Sequence, residues 1–382
     1  MSTLSQTRVA ERVEPPEYDW ENTRTLALMV ETSSPVASYR DAFIRNFRAI
    51  RAISDRLVRP GVAVVAIDAY RGSVAGSFVV AAKTGLANSA IIGRHDRSDL
   101  WLTHDESLSL RHLAVIVDPL AVGSTDVRFR VVDLRSRTGF RDERDRQLEA
   151  VVADGSVFVR CAGYILLVVR TEDVARWPES GREAWDQLPD RVFHDEREAD
   201  LARAGRLLAE DRRSARRSRR SRRRRPDSRR GRGRDDAGPD NGEDGDERNP
   251  WSRMTAITLT SGPVRASVDE LLAPGEVPLG TLAVTSRRGA RDLVIGRRAA
   301  ESGILIGRYS RCDGEGMLDD CDPISRIHLL IIRVGKVLYA IDTASKNGTS
   351  SDDCADVRIL PLGRGASIHM AKKMATVTWR PA

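Results

Sequence analysis

The chain has 382 residues, enough for two or three ordinary domains, each with its own core. Apolar residues make up 41% and charged residues 31%, the latter above the usual quarter, so part of the chain is expected to be solvated rather than packed. The net charge of +7 is localised: fourteen Arg stand against two Asp between Asp211 and Arg234, a local excess of twelve that leaves the rest acidic by five charges, so any preference for polyanions is confined to that segment. Four cysteines without a C-x-x-C spacing exclude a disulfide framework, a zinc knuckle and a redox motif. Cys312 and Cys321 are close enough along the chain to bridge a loop or to share a metal with His328, but reduced thiols are the expectation, with no metal and no cofactor. No charged-then-apolar leader and no apolar span of bilayer length is present, so the expectation is a cytoplasmic protein without membrane insertion.

Residues 1–60 read as a polar arm, interrupted by Pro15 and Pro16, followed by a helix. Ser34 is the expected N-cap with Pro35 at the first helical position, and Phe43, Phe47, Ile50 and Ile53 recur on one helical face. From 61 to 175 the texture changes to short Val-, Ile- and Phe-rich runs separated by Gly, Asp and Ser, among them VAVVAID, SAIIGR, HLAVIV, RFRVVDL and YILLVV. That spacing predicts an all-β sandwich. Residues 176–252 read as a linker: a helical stretch with Leu201, Ala204 and Leu208 on one side, then an arginine block, then an acidic block, the last two without apolar residues and expected to be disordered. Residues 253–382 return to the β texture with TLAVTS, GILIGR, IHLLIIRV, VLYAID and ATVTW.

The two β regions share an ordered set of short motifs. In the second, Gly307-Arg308 is followed by Ser325, Arg326 and His328, then by Asp342, Ser345, Lys346, Asn347, Gly348 and Thr349. In the first, Gly93-Arg94 is followed by Ser109 and His112, then by Asp133, Ser136, Thr138 and Gly139. The glycines of the two Gly-Arg pairs lie 214 residues apart, and the common order reads as a tandem repeat. Each motif alone is commonplace, Asn-Gly being an ordinary turn dipeptide; the ordered set is what carries information.

With its Gly-Arg, Ser-x-x-His and Asn-Gly blocks in order, the second region resembles a forkhead-associated (FHA) domain over roughly 125 residues. The first resembles the same family less fully, since Thr138-Gly139 stands at the Asn-Gly position. The resemblance implies an all-β chain of two FHA-like β-sandwich domains that binds phosphothreonine without catalysis. A phosphothreonine needs an unconditional cation and directed donors. Arg308 supplies the planar guanidinium, Ser325 a hydroxyl and Lys346 a mobile ammonium. Donors to a charged acceptor contribute about 1.5 to 3 kcal/mol each.

By the same resemblance, Asn347 would hold the peptide backbone, Arg326 would contact residues flanking the phosphothreonine, and Gly307, His328 and Gly348 would shape the loops. A second set is Arg94, Ser109 and His112; there Thr138 is too short to replace an amide and Leu110 stands where the second region has Arg326, so that Arg111 or Arg137 would have to compensate. If they do not, the first domain binds protein, or its sister domain, without phosphate. The implied partner is a phosphothreonine-containing Ser/Thr kinase or its substrate.

No G-x-x-x-x-G-K-[ST], H-E-x-x-H or G-x-S-x-G occurs, and the six His are scattered, so nothing in the sequence points to an enzyme. The competing reading is a nucleic-acid-associated protein, or one with weak contact to anionic surfaces, acting through the arginine block. That block lacks interleaved aromatic residues and an acidic block follows it at once. Its serines, Ser214, Ser218, Ser221 and Ser228, and Thr32 ahead of the first helix are candidate phosphorylation sites.

Overall fold

The computed structural model describes residues 37–57, 59–195, 254–259, 271–314 and 316–382. Thr32, Ser34, the expected helix over 195–213, the arginine block with its serines and the acidic block lie outside the described residues, apart from Asp195.

Helix α1 (Tyr39–Ser54) is capped by Ser38, whose hydroxyl accepts the Asp41 N–H at 3.0 Å. Phe43, Phe47, Ile50 and Ile53 form its buried face, as their spacing requires. The strands of the first domain are β1 (Gly61–Asp68), β2 (Val74–Ala81), β3 (Asn88–Gly93), β4 (Leu100–Trp101), β5 (Leu113–Val117), β6 (Phe129–Asp133), β7 (Phe140–Arg141), β8 (Gln147–Leu148), β9 (Ala150–Ala153), β10 (Val157–Cys161) and β11 (Tyr164–Arg170). Two short helices follow, α2 (Thr171–Val174) and α3 (Gly181–Gln187), then β12 (Asp190–Asp195) and β13 (Met254–Leu259). The second domain contains β14 (Gly280–Ser286), β15 (Gly289–Ile295), α4 (Arg297–Ser302), β16 (Ile304–Ile306), β17 (Leu329–Val334), β18 (Val337–Asp342), β19 (Thr349–Ser351), β20 (Ile359–Pro361), β21 (Ser367–Met370) and β22 (Ala375–Pro381).

These strands build four sheets, ordered β2-β1-β11-β10-β7-β8, β12-β13-β9-β6-β5-β3-β4, β16-β17-β18-β20 and β15-β14-β22-β21-β19. The first two enclose the core of the first sandwich, with Val64, Val115, Phe129 and Leu166 among its members. The last two enclose the core of the second, with Leu282, Ile306, Ile331 and Trp379. A third apolar layer joins the domains: Ile91, Ala114, Ile116 and Val132 pack with Leu305, Leu330, Ile332 and Ile341. Alternation along a strand explains how one segment serves two layers. In β17, Leu329 and Ile331 enter the second sandwich while Leu330 and Ile332 enter the joint between domains.

A strand covered on both faces reads as an unbroken apolar run. β1 is buried at all eight positions because Val62, Val64 and Ala66 face the sandwich while Ala63, Val65 and Ile67 face α1 and α3.

Two expected boundaries shift. The linker was expected from 176, yet Trp177 and Trp185, the latter in α3, pack on α1; the Phe43 and Trp177 ring centroids are 5.2 Å apart. The second domain was expected from 253, yet β13 pairs with β9 of the first domain and runs parallel to β12. Both ends of the long connection are thereby held in one sheet.

Candidate functional site

The motif residues cluster in the loops at one end of each sandwich, and the backbone there is the same twice. Gly307 follows β16 and lies against the loop leading into β17: a Cβ at this position would meet the Arg326 carbonyl oxygen at 2.2 Å. Gly93, at the end of β3, has the same relation to the Leu110 carbonyl oxygen, also at 2.2 Å. The Arg308 N–H donates to the Ser325 carbonyl at 3.3 Å, and the Arg94 N–H to the Ser109 carbonyl at 3.1 Å. Each arginine side chain is then steered by its Nε–H, Arg308 to the Ile324 carbonyl at 2.9 Å and Arg94 to the Leu108 carbonyl at 2.8 Å. The glycines permit the close approach; the arginines are the groups it positions.

The two histidines act inside the loops. His328 is fully buried, accepts the Ser325 N–H on Nδ1 at 3.1 Å and faces the Gly348 carbonyl with Nε2 at 3.1 Å. His112 repeats this between the Ser109 N–H and the Gly139 carbonyl. An accepting Nδ1 beside a carbonyl-facing Nε2 fixes the neutral imidazole with its proton on Nε2. Burial holds both histidines below their ordinary value. Asp342 organises the next loop, accepting the Ser345 N–H and hydroxyl and the Thr349 hydroxyl. Asp133 does the same for Ser136, and burial pushes its carboxyl up to about 6. Gly139 and Gly348 have φ of +64° and +74°, the left-handed region that suits glycine.

In the second domain Ser325 Oγ accepts the Lys346 N–H at 2.9 Å, which ties the Ser-x-x-His loop to the Lys346-Asn347 loop. Asn347 Nδ2 donates to the Pro323 carbonyl at 2.6 Å across the same gap. Arg308 is half-buried, with the exposed Asp322 carboxylate 3.5 Å from its Nη1. Lys346 and Asn347 are exposed. In the first domain Ser109 Oγ likewise accepts the Arg137 N–H at 3.2 Å, and Arg137 and Thr138 are exposed.

Two expected residues sit elsewhere than the sequence suggested. Arg111 lines the same cavity as Arg94, Ser109 and Arg137, but its guanidinium is held by the second domain. The side chain is buried, with Nε 2.7 Å from the Thr343 carbonyl and Nη2 2.7 Å from the Ala344 carbonyl and 3.3 Å from Ser325 Oγ, all in the second domain. Arg326 lines this cavity, of about 270 Å³ at the domain junction, together with Arg94, Ser109 and Arg137 of the first domain. Tyr309, Arg135 and Arg311 line it too and were not singled out from the sequence. Arg311 stands three residues after Arg308, as Arg97 does after Arg94, and aligning the repeats finds the pair.

No family model and no curated protein matches the chain. Solved FHA domains match about a quarter of it. The FhaA FHA domain complexed with the intracellular domain of Rv3910 is 27% identical over 26% of this chain and 98% of its own, with a TM-score of 0.22. The Mycobacterium tuberculosis Rv1747 FHA-1 domain is 22% identical over 27% and 99%, TM-score 0.22. The FHA domain of CT664 from Chlamydia trachomatis is 18% identical over 28% and 96%, TM-score 0.23. Each of these matches spans about a quarter of the chain. The C-terminal β-sandwich carries the Gly-Arg, Ser-x-x-His and Asn-Gly blocks in order, and the N-terminal one carries Thr138 in place of the amide.

Proposed function

We propose that the C-terminal FHA-like domain binds phosphothreonine on a partner protein and that the chain is a non-catalytic adaptor in Ser/Thr kinase signalling. The observation that carries this reading is the state of Ser325 Oγ. It accepts two donors, the Lys346 N–H and Arg111 Nη2, and its own proton meets no acceptor among the described residues. A hydroxyl so placed donates outward. Arg308 and Lys346 supply positive charge from the adjoining loops, and a dianion with three acceptor oxygens suits that donor set. Asn347, its Nδ2 committed to Pro323, presents Oδ1 to a peptide N–H. The partner in this reading is a Ser/Thr kinase or one of its substrates.

The test is binding of the full chain to a phosphothreonine peptide library, with unphosphorylated and phosphoserine libraries as controls. Phosphothreonine-selective binding that Arg308→Ala removes supports the reading; equal binding to the unphosphorylated library overturns it.

A further inference from the structure

The cavity at the domain junction is cationic and has two owners. Arg94, Ser109 and Arg137 come from the first domain; Tyr309, Arg311 and Arg326 come from the second. Glu106 is the one carboxylate on its wall. Arg135 also reaches this wall, but it is neutralised by Asp313, 2.6 Å away. Arg94, Arg137, Arg311 and Arg326 make no ion pair with a carboxylate among the described residues. Arg111 lines the cavity as well and is only 7% exposed; its guanidinium is held by two carbonyls and a hydroxyl and by no carboxylate. Guanidinium groups stay charged at any ordinary pH, so their mutual repulsion persists until an anion enters.

We propose that this junction cavity is a second anion site, taking a phosphomonoester borne on a peptide side chain, and that it is built jointly by both domains. The first domain contributes Arg94, steered as Arg308 is, and the Ser109 hydroxyl, whose proton meets no acceptor among the described residues. It lacks the amide, having Thr138. The second domain supplies the missing polar wall with Arg311 and Arg326. Arg311 is fixed by its Nη1–H bonds to the Arg135 and Ser136 carbonyls, at 3.4 and 3.3 Å, while Arg326 is exposed. Planar guanidiniums from two directions suit the several oxygens of a phosphomonoester. The first domain alone would therefore be an incomplete receptor.

Arg308 and Lys346 lie outside this cavity, so the two sites are separable by mutation there, whereas Ser325 touches both through Arg111. The experiment uses the full chain carrying Arg308→Ala and Lys346→Ala, neither of which touches the cavity, with melting curves confirming the fold, titrated with the phosphothreonine peptide library. Phosphate-dependent binding persists on this background, and exposed Arg326→Ala weakens it by about tenfold or more, as does Arg94→Ala. Loss of all phosphate-dependent binding on the starting background, with the wild type still binding, overturns the junction site and leaves the C-terminal reading intact. Binding lost with Arg94→Ala but unchanged by Arg326→Ala overturns the joint construction. Phenyl phosphate is titrated in parallel; saturation by it with no binding of any phosphopeptide overturns the peptide ligand.

Discussion

Arg97 and Arg311 occupy equivalent positions in the two repeats, and each crosses to the other domain: Arg97 Nη1 donates to the Ser345 carbonyl at 3.0 Å, and Arg311 Nη1 donates to the Ser136 carbonyl at 3.3 Å. Ser345 and Ser136 are themselves equivalent. Asp99 and Asp313, again equivalent, extend the pattern. Each accepts a backbone N–H of its own domain, from Ile91 and Leu305, and pairs across the joint, with Arg358 and Arg135. A surface that meets its own repeat in this reciprocal way has the character of a two-fold homodimer interface, here inside one chain.

Arg308→Ala is expected to lower phosphothreonine-peptide affinity by about 2 to 5 kcal/mol, because a charge-to-charge contact is truncated and the phosphate left underpaired. Calorimetric titration of the full chain with a selected peptide measures this.

Gly307→Ala and Gly93→Ala should each destabilise the fold by about 1 to 3 kcal/mol, since the added methyl meets a backbone oxygen that has no flexible end to swing away. Denaturant unfolding of the two variants checks this; midpoints equal to wild type would contradict the close approach.

Arg135 and Asp313 bridge the domains with a nearly buried carboxylate, so Arg135→Ala and Asp313→Asn should not add. A coupling of about 0.5 to 3 kcal/mol is expected from the double-mutant cycle. An additive result would mean that the contact is not formed in solution.

Burial holds the folded-state pKa of His328 and His112 below the unfolded value of about 6.5. The unfolded chain therefore takes up protons first, and stability contributed by the neutral imidazoles is lost as pH falls from about 6.5 toward the depressed values. Asp133, pushed up to about 6, acts in the opposite sense over part of that window. The informative comparison is thus wild type against His328→Gln: the variant should be less stable at neutral pH and should lose less on acidification, read from melting temperatures at pH 7.5 to 5.

Cys354 is exposed, whereas Cys161, Cys312 and Cys321 are buried, and burial pushes the Cys312 thiol up to about 12. A thiol reagent at neutral pH should modify Cys354 alone in the native protein, with the other three appearing on unfolding, as peptide mass spectrometry would show.

Much of this arrangement was legible in the residues. The β texture placed strands at β1, β3, β5, β6, β11, β14, β16, β17, β18 and β22, and the order of Gly-Arg, Ser-x-x-His and the Asp-led loop marked the two equivalent corners. What escaped has a common physical cause: a motif fixes a local backbone, but not which neighbour its outward side chains will reach. Leu110-Arg111 and Arg326-Ile327 occupy matched positions and both arginines line the cavity between the domains, yet Arg111 is buried on carbonyls of the other domain while Arg326 is exposed. Nothing in the LLII of β17 distinguishes a strand buried by one sandwich from a strand shared by two cores. The described helix is capped at Ser38, and the expected cap Ser34 lies outside the described residues.

The apolar joint between the second and third sheets also decides what sets the distance between the two Gly-Arg corners. Were the domains beads on a string, the reach from Arg94 to Arg308 would follow the length of the intervening chain. Because Ile116 and Ile332 lie in one packed layer, that reach behaves like a pair of callipers locked at one opening, and residues added or removed between Asp195 and Met254 leave the setting unchanged.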